Sequence, residues 1–151
     1  MNQPLPPKAN QPHRARKRFG QNFLHDESVI DNIVAAIRPK PKQILIEIGP
    51  GQAALTQPIA AKTDSSNAFH LIELDRDLAA RLEQLFQRDD NVYIHQGDAL
   101  FFDFARLSNA KAPLRVFGNL PYNISTPLLF HLLDQNSAWQ QEHGQPLISD
   151  M

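Results

Sequence analysis

The chain has 151 residues, enough for one hydrophobic core, with 42% apolar residues, 21% charged residues and a net charge of −1. It has no cysteine, which excludes disulfides, thiol catalysis and cysteine-bound metal, and it has no apolar run long enough to span a bilayer. Its six histidines are scattered without paired ligand spacing, so no metal site is expected.

Charge is unevenly placed. Lys8, Arg14, Arg16, Lys17 and Arg18 all precede the first acidic residue, Asp26. Residues 1–12 are rich in Pro, Gln and Asn, and their four prolines spoil an amphipathic presequence helix. Residues 1–15 are therefore expected to form a disordered basic tail. Arg14, Arg16, Lys17 and Arg18 suit a phosphate backbone and are candidate RNA contacts. Phe19 and Phe23, interleaved with that basic cluster, argue for a segment that docks against something flat.

Asp26 is a candidate N-cap for a helix in which Val29, Ile30, Ile33, Val34 and Ile37 recur at helical spacing, and Pro39 and Pro41 stop it. Ile44–Ile48 is an apolar run interrupted by Glu47 and followed at once by Gly49-Pro50-Gly51. Residues 52–61 are expected to form a short helix bent by Pro58, and residues 63–67 a polar loop. A second strand, 68–72, ends in Glu73. The clearest helix is 75–86, with Leu78, Leu82 and Leu85 on one face. A third strand, 92–95, leads to Asp98, and residues 101–107 are apolar without a period. Leu114–Phe117 is a fourth strand, and residues 125–133 form the helix after it. Strand–helix alternation of this kind means an α/β fold with parallel strands and right-handed crossovers.

Four successive strand ends thus carry Glu47 with Gly49 and Gly51, then Glu73, then Asp98, then Asn119-Leu120-Pro121-Tyr122. In open α/β sheets ligands bind at that edge. The glycines let the backbone approach a ligand, Glu73 is placed to accept from both ribose hydroxyls of a nucleoside, and Asp98 to accept from its adenine amino group. The Asn119 amide oxygen and a free backbone carbonyl can accept both hydrogens of an exocyclic amino group, while Tyr122 stacks on a flat base. Any one of these carboxylates alone reads more readily as solvated or capping. Residues 117–127 also fit an ordinary strand, proline turn and capped helix with Tyr122 in the core. A nicotinamide-dependent dehydrogenase is the competing enzyme class, because Gly49-x-Gly51-x-x-Ala54 satisfies the dinucleotide pattern. Pro50 and a short proline-containing helix are a poor pyrophosphate cradle, and such an enzyme has no use for Asn-Leu-Pro-Tyr.

Four stretches together, Arg18-Phe-Gly-Gln-Asn-Phe-Leu24, Glu47-Ile-Gly-Pro-Gly51, Ile72-Glu-Leu-Asp-Arg-Asp77 and Phe117-Gly-Asn-Leu-Pro-Tyr-Asn-Ile-Ser-Thr-Pro127, resemble the ribosomal RNA adenine N6-dimethyltransferases. Leu120 favours the small-subunit branch. The resemblance implies a Rossmann-like methyltransferase fold, with residues 16–151 forming the N-terminal part of the catalytic domain. It implies S-adenosylmethionine as cofactor, held by Asn22, Leu24, Gly49, Glu73, Asp98 and Asn119. The implied substrate is a pair of adjacent adenosines in a hairpin loop near the 3′ end of small-subunit rRNA, met in the immature 30S subunit by a cytoplasmic monomer. Asn119, Leu120, Pro121 and Tyr122 are the implied catalytic loop. Members of this family continue into further strands and a helical domain. A chain ending at residue 151 is therefore expected to leave Leu128, Leu129 and Leu132 uncovered, and a non-catalytic RNA- or ribosome-binding fragment is the alternative.

Overall fold

The structure, a computed structural model, describes residues 26–109 and 112–150. The expected basic tail and Arg14, Arg16, Lys17, Arg18, Asn22 and Leu24 lie outside these residues.

The chain alternates α1 (Glu27–Ile37), β1 (Ile44–Ile48), α2 (Thr56–Ala61), β2 (Ala68–Glu73), α3 (Arg76–Leu85), β3 (Val92–Gln96), β4 (Leu114–Phe117), α4 (Tyr122–His143) and β5 (Ile148–Asp150), with two 3₁₀ turns between β3 and β4. The five strands are all parallel in the order β3-β2-β1-β4-β5. Both sheet faces are covered, which is why β1 reads as a nearly continuous apolar run and is buried at every position. Successive side chains face opposite ways, so Leu45, Phe69 and Leu71 pack with Val34, Ile37, Ile59 and Leu82 from the first three helices. Ile44, Ile46, Ile48, Ile72 and Val116 pack instead with Phe104 of the second 3₁₀ turn and with Leu128 and Leu132 of α4.

Caps follow the sequence. Asp26 accepts the Ser28 N–H at 2.9 Å, and Asp75 accepts the Leu78 N–H at 2.9 Å. In the polar loop before β2, Asn67 is buried. Its Nδ2 donates to the Lys40 and Gln43 carbonyls, at 2.7 and 3.0 Å, which ties that loop to the entry of β1.

Five expectations change. The second helix begins at Thr56 rather than at residue 52, because the chain from Gly51 is still turning and Ala53 has φ 72°. Pro58 then falls in the first helical turn, where no N–H is needed, so the expected bend has no cause there. The helix expected over 125–133 runs from Tyr122 to His143. The sheet has five strands, not four, because residues 148–150 pair with β4. Asn136 Oδ1 accepts the Leu147 and Ile148 N–H groups at 2.8 and 3.0 Å, and Arg115 bridges to Asp150 at 3.0 Å. Of the three leucines expected to be uncovered, Leu128 and Leu132 are buried between α4 and the sheet. Leu129 is exposed at 43%, beside exposed Phe130 and Leu133.

Candidate active site

Because the strands are parallel, their carboxyl ends lie on one edge. The chain lays β2 and β3 to one side of β1 and then crosses to place β4 on the other. The turn after β1 and the loop after β4 therefore face each other across the topological switch point, where open α/β sheets bind ligands.

The β1 turn is held from two directions. Gly49 has φ 67° and donates its N–H to the Ile72 carbonyl at 2.9 Å. Gly51 has φ 58° and donates to Glu73 Oε1 at 2.9 Å, while Glu73 Oε2 accepts the Asp75 N–H at 3.0 Å. Positive φ at both positions is why glycine stands there. A Cβ at Gly51 would meet nothing closer than the Gly49 carbonyl at 3.9 Å, so its backbone is open to close approach by a ligand. Glu73 is only 1% exposed, with its two carboxylate oxygens turned to the backbone of the β1 turn and of the α3 entry.

Glu47 lies beneath this turn, 2% exposed, with Oε1 accepting the Thr56 hydroxyl at 2.7 Å. Burial pushes its carboxyl up to about 8, against the opposing pull of the Thr56 hydrogen bond, and the nearby charge of Glu73 adds to the rise. Asp98 follows β3 and accepts the Leu100 N–H at 3.0 Å, capping the first 3₁₀ turn with one oxygen.

Across the crevice, Gly118 lies so close to the end of β1 that a Cβ would stand 2.5 Å from the Ile48 carbonyl oxygen. Asn119 and Leu120 follow, half-buried, and the Leu120 side chain lies over Gly49. Pro121 is the N-cap of α4, and Tyr122 is the first residue of that helix. Tyr122 is 84% exposed, which rules out the core role its sequence context also allowed. Gly49, Gly51, Glu73, Asp98, Asn119, Leu120, Pro121 and Tyr122 therefore share one edge. Direct contacts join Glu73 to Gly51 and Leu120 to Gly49, while Asp98 stands on its own loop. Gly118 and the bond from Thr56 to Glu47 join the residues expected there. A glycine closing a buried strand is the signal that marks the first as a close backbone approach.

Two solved structures share this architecture. The 23S rRNA methyltransferase ErmE superposes with a TM-score of 0.62 at 24% identity, over 76% of this chain and 43% of that one. An RNA methyltransferase from Salinibacter ruber, solved with S-adenosyl-L-homocysteine, gives 0.58 at 18% identity, over 75% and 71%. The fold is that of a Rossmann-like methyltransferase domain. The family model described as ribosomal RNA adenine dimethylase matches residues 12–146. The ribosomal RNA small subunit methyltransferase A of Tolumonas auensis is 55% identical over 124 residues, which is 82% of this chain and 45% of that protein. The chain belongs to the ribosomal RNA adenine dimethylase family and spans about half the length of this relative. Among the described residues no helix is long and apolar enough to cross a membrane, and no group of three or more metal-binding side chains is assembled.

Proposed function

We propose that this chain is the donor-binding part of an S-adenosylmethionine-dependent enzyme that dimethylates N6 of two adjacent adenosines in the 3′-terminal hairpin loop of small-subunit rRNA. The single observation that carries this reading is the placement of the Asn119–Tyr122 loop directly against the Gly49–Gly51 turn, with the Tyr122 ring presented to solvent. A dehydrogenase fits less well. The helix after the glycine turn begins only at Thr56, so no helix N-terminus meets a pyrophosphate at that turn.

The bound cofactor supplies an electrophilic methyl group on a sulfonium. In this reading Gly49 and Gly51 offer open backbone, Glu73 accepts from the ribose, Asp98 accepts from the adenine of the cofactor, and Asn22, Leu24 and Asn119 complete its surroundings. The acceptor is the group that needs help, because the N6 lone pair is delocalised into the adenine ring. Asn119 Oδ1 and the Leu120 carbonyl accept the two N6 hydrogens and draw the nitrogen toward a tetrahedral, more nucleophilic geometry. Pro121 stiffens the loop and Tyr122 stacks on the base. This is catalysis by positioning and electrostatics, and it requires an unstacked target. Arg14, Arg16, Lys17 and Arg18 supply phosphate contacts. The partner is the immature small subunit, met in the cytoplasm by a monomer without a metal.

The test is transfer of labelled methyl from S-adenosylmethionine to undermethylated small subunits, by this chain and by one continued to the relatives' length. Label in N6,N6-dimethyladenosine from the longer chain is the expected result. Label in another nucleotide, or none, contradicts the reading.

A further inference from the structure

The acceptor loop is fixed at both ends and propped in the middle. β4 ends at Phe117, which pairs with Glu47 across the ladder. The chain beyond stays pressed on β1, since a Cβ at Gly118 would stand 2.5 Å from the Ile48 carbonyl oxygen and 3.4 Å from its carbonyl carbon. At the far end Pro121 has φ −66° and opens α4. Between them Leu120 reaches back to the donor side, where a Cβ on Gly49 would lie 3.0 Å from its Cδ2. Apart from the residues on either side of Gly49, no other described atom comes within 4 Å of that position.

Gly49 is itself anchored. Its N–H is bonded to Ile72 and its neighbour Gly51 is bonded to Glu73, so the turn is anchored on the β2 side. The loop cannot settle lower either, because Gly118 already touches the backbone of Ile48. A side chain on Gly49 or a shorter one at position 120 would change the spacing between the two loops. Leu120 is half-buried, packing against the cluster that holds Ile48, Val116 and Leu128 as well as lying over Gly49.

We infer that the Leu120 side chain is a positioning element that sets the height of the acceptor loop over the donor turn and carries displacement of that turn to Tyr122. The inference rests on the donor and acceptor roles proposed above. It assigns the Leu120 side chain a task separate from that of its carbonyl. Where a ligand shifts Gly49 against those anchors, Leu120 follows, and with it Pro121 and the first turn of α4. The contact depends on the length of the side chain, so shortening it uncouples the two loops while leaving the turn itself intact.

The experiment is a titration of the isotopically labelled 151-residue chain with S-adenosyl-L-homocysteine, following backbone amides by NMR. In the parent, Gly49, Gly51, Tyr122 and Ile124 are expected to move along one binding curve. In Leu120→Ala the glycines still move, with a dissociation constant within about threefold of the parent's, whereas the Tyr122 and Ile124 shifts are lost. Leu120→Val, which opens a smaller gap, gives a partial loss and reports even if the alanine variant does not fold. Leu120→Met, of similar reach, restores the shifts. Equal movement of Tyr122 in the parent and in the shortened variants overturns the inference while leaving the donor site standing. Immobile Gly49 and Gly51 in the parent remove the donor site and the coupling with it.

Discussion

Glu73 Oε1 accepts the Gly51 N–H at 2.9 Å, so the carboxylate that ends β2 holds the turn that follows β1. Its other oxygen accepts the Asp75 N–H at 3.0 Å and fixes the entry to α3. Glutamine at position 73 keeps one acceptor and turns an NH₂ group toward a second backbone donor. Glu73→Gln should therefore lower stability by about 1.5–3 kcal/mol, the range for a hydrogen bond to a charged group. Urea unfolding of the two proteins measures it, and equal midpoints contradict the double role.

Gly118 predicts a steric effect confined to the acceptor loop. With a Cβ 2.5 Å from the Ile48 carbonyl oxygen, Gly118→Ala must push the loop from β1, since backbone cannot move aside as a flexible side chain does. Overpacking of this kind costs about 1–3 kcal/mol. The expected signature is a lower melting temperature together with faster hydrogen exchange at Asn119 and Leu120 and unchanged exchange in β2. Unaltered exchange at the loop would show that the approach is looser than described.

Buried Glu47 makes stability fall as pH rises. Below its ordinary value of 4.5 the carboxyl is protonated in both states and contributes no pH dependence. Above it the unfolded chain ionises while the folded one keeps its proton until about 8. Each unit of that window then costs about 1.4 kcal/mol of stability at the limit. Glu47→Gln keeps an oxygen for the Thr56 hydroxyl and carries no titrating proton. Its stability advantage over the parent should grow from pH 4.5 to 8, and a constant difference would contradict protonated Glu47. His70 works in the opposite sense. Burial, with a smaller contribution from His95, pushes it down to about 4, so stability is lost as pH falls from 6.5 through that value.

Much of the fold is written in the apolar runs, and the reason is topological. Strands buried on both faces, such as Ile44–Ile48, need apolar side chains throughout, and their glycine or acidic ends stand out against that background. The long α4 was less legible. Beyond Leu133 its residues are mostly solvated, so helical propensity continues after the apolar period has stopped. β5 was hidden because Ile148, Ser149 and Asp150 are too few and too polar to read as a strand, and Asn136 supplies the order locally. The start of α2 was misplaced because Ala53 gives no sequence sign of positive φ. At the site, the alignment of strand-end groups follows from parallel strands. The press of Gly118 on Ile48 and the protonation of Glu47 depend on three-dimensional packing that no spacing encodes.

Asn136 gives a local test of β5. Leu147 and Ile148 are buried, and the Asn136 amide oxygen accepts both of their N–H groups. Asn136→Ala leaves two buried donors without that acceptor, at about 1–3 kcal/mol each unless water replaces it. Amide exchange at Ile148 should rise sharply while exchange in β1 rises only with the global loss of stability. Equal protection in both proteins would mean that β4 alone holds the strand.

The most direct measurement of the donor site is calorimetric titration of this chain and of Glu73→Ala with S-adenosylmethionine and, separately, with NAD. The parent is expected to bind S-adenosylmethionine saturably and to give no heat with NAD. Glu73→Ala is expected to lose about one to two decades in affinity, corresponding to a charge-assisted pair with the ribose. Tight binding of NAD, or S-adenosylmethionine affinity unchanged by Glu73→Ala in a protein that still melts cooperatively, would contradict the donor-site assignment.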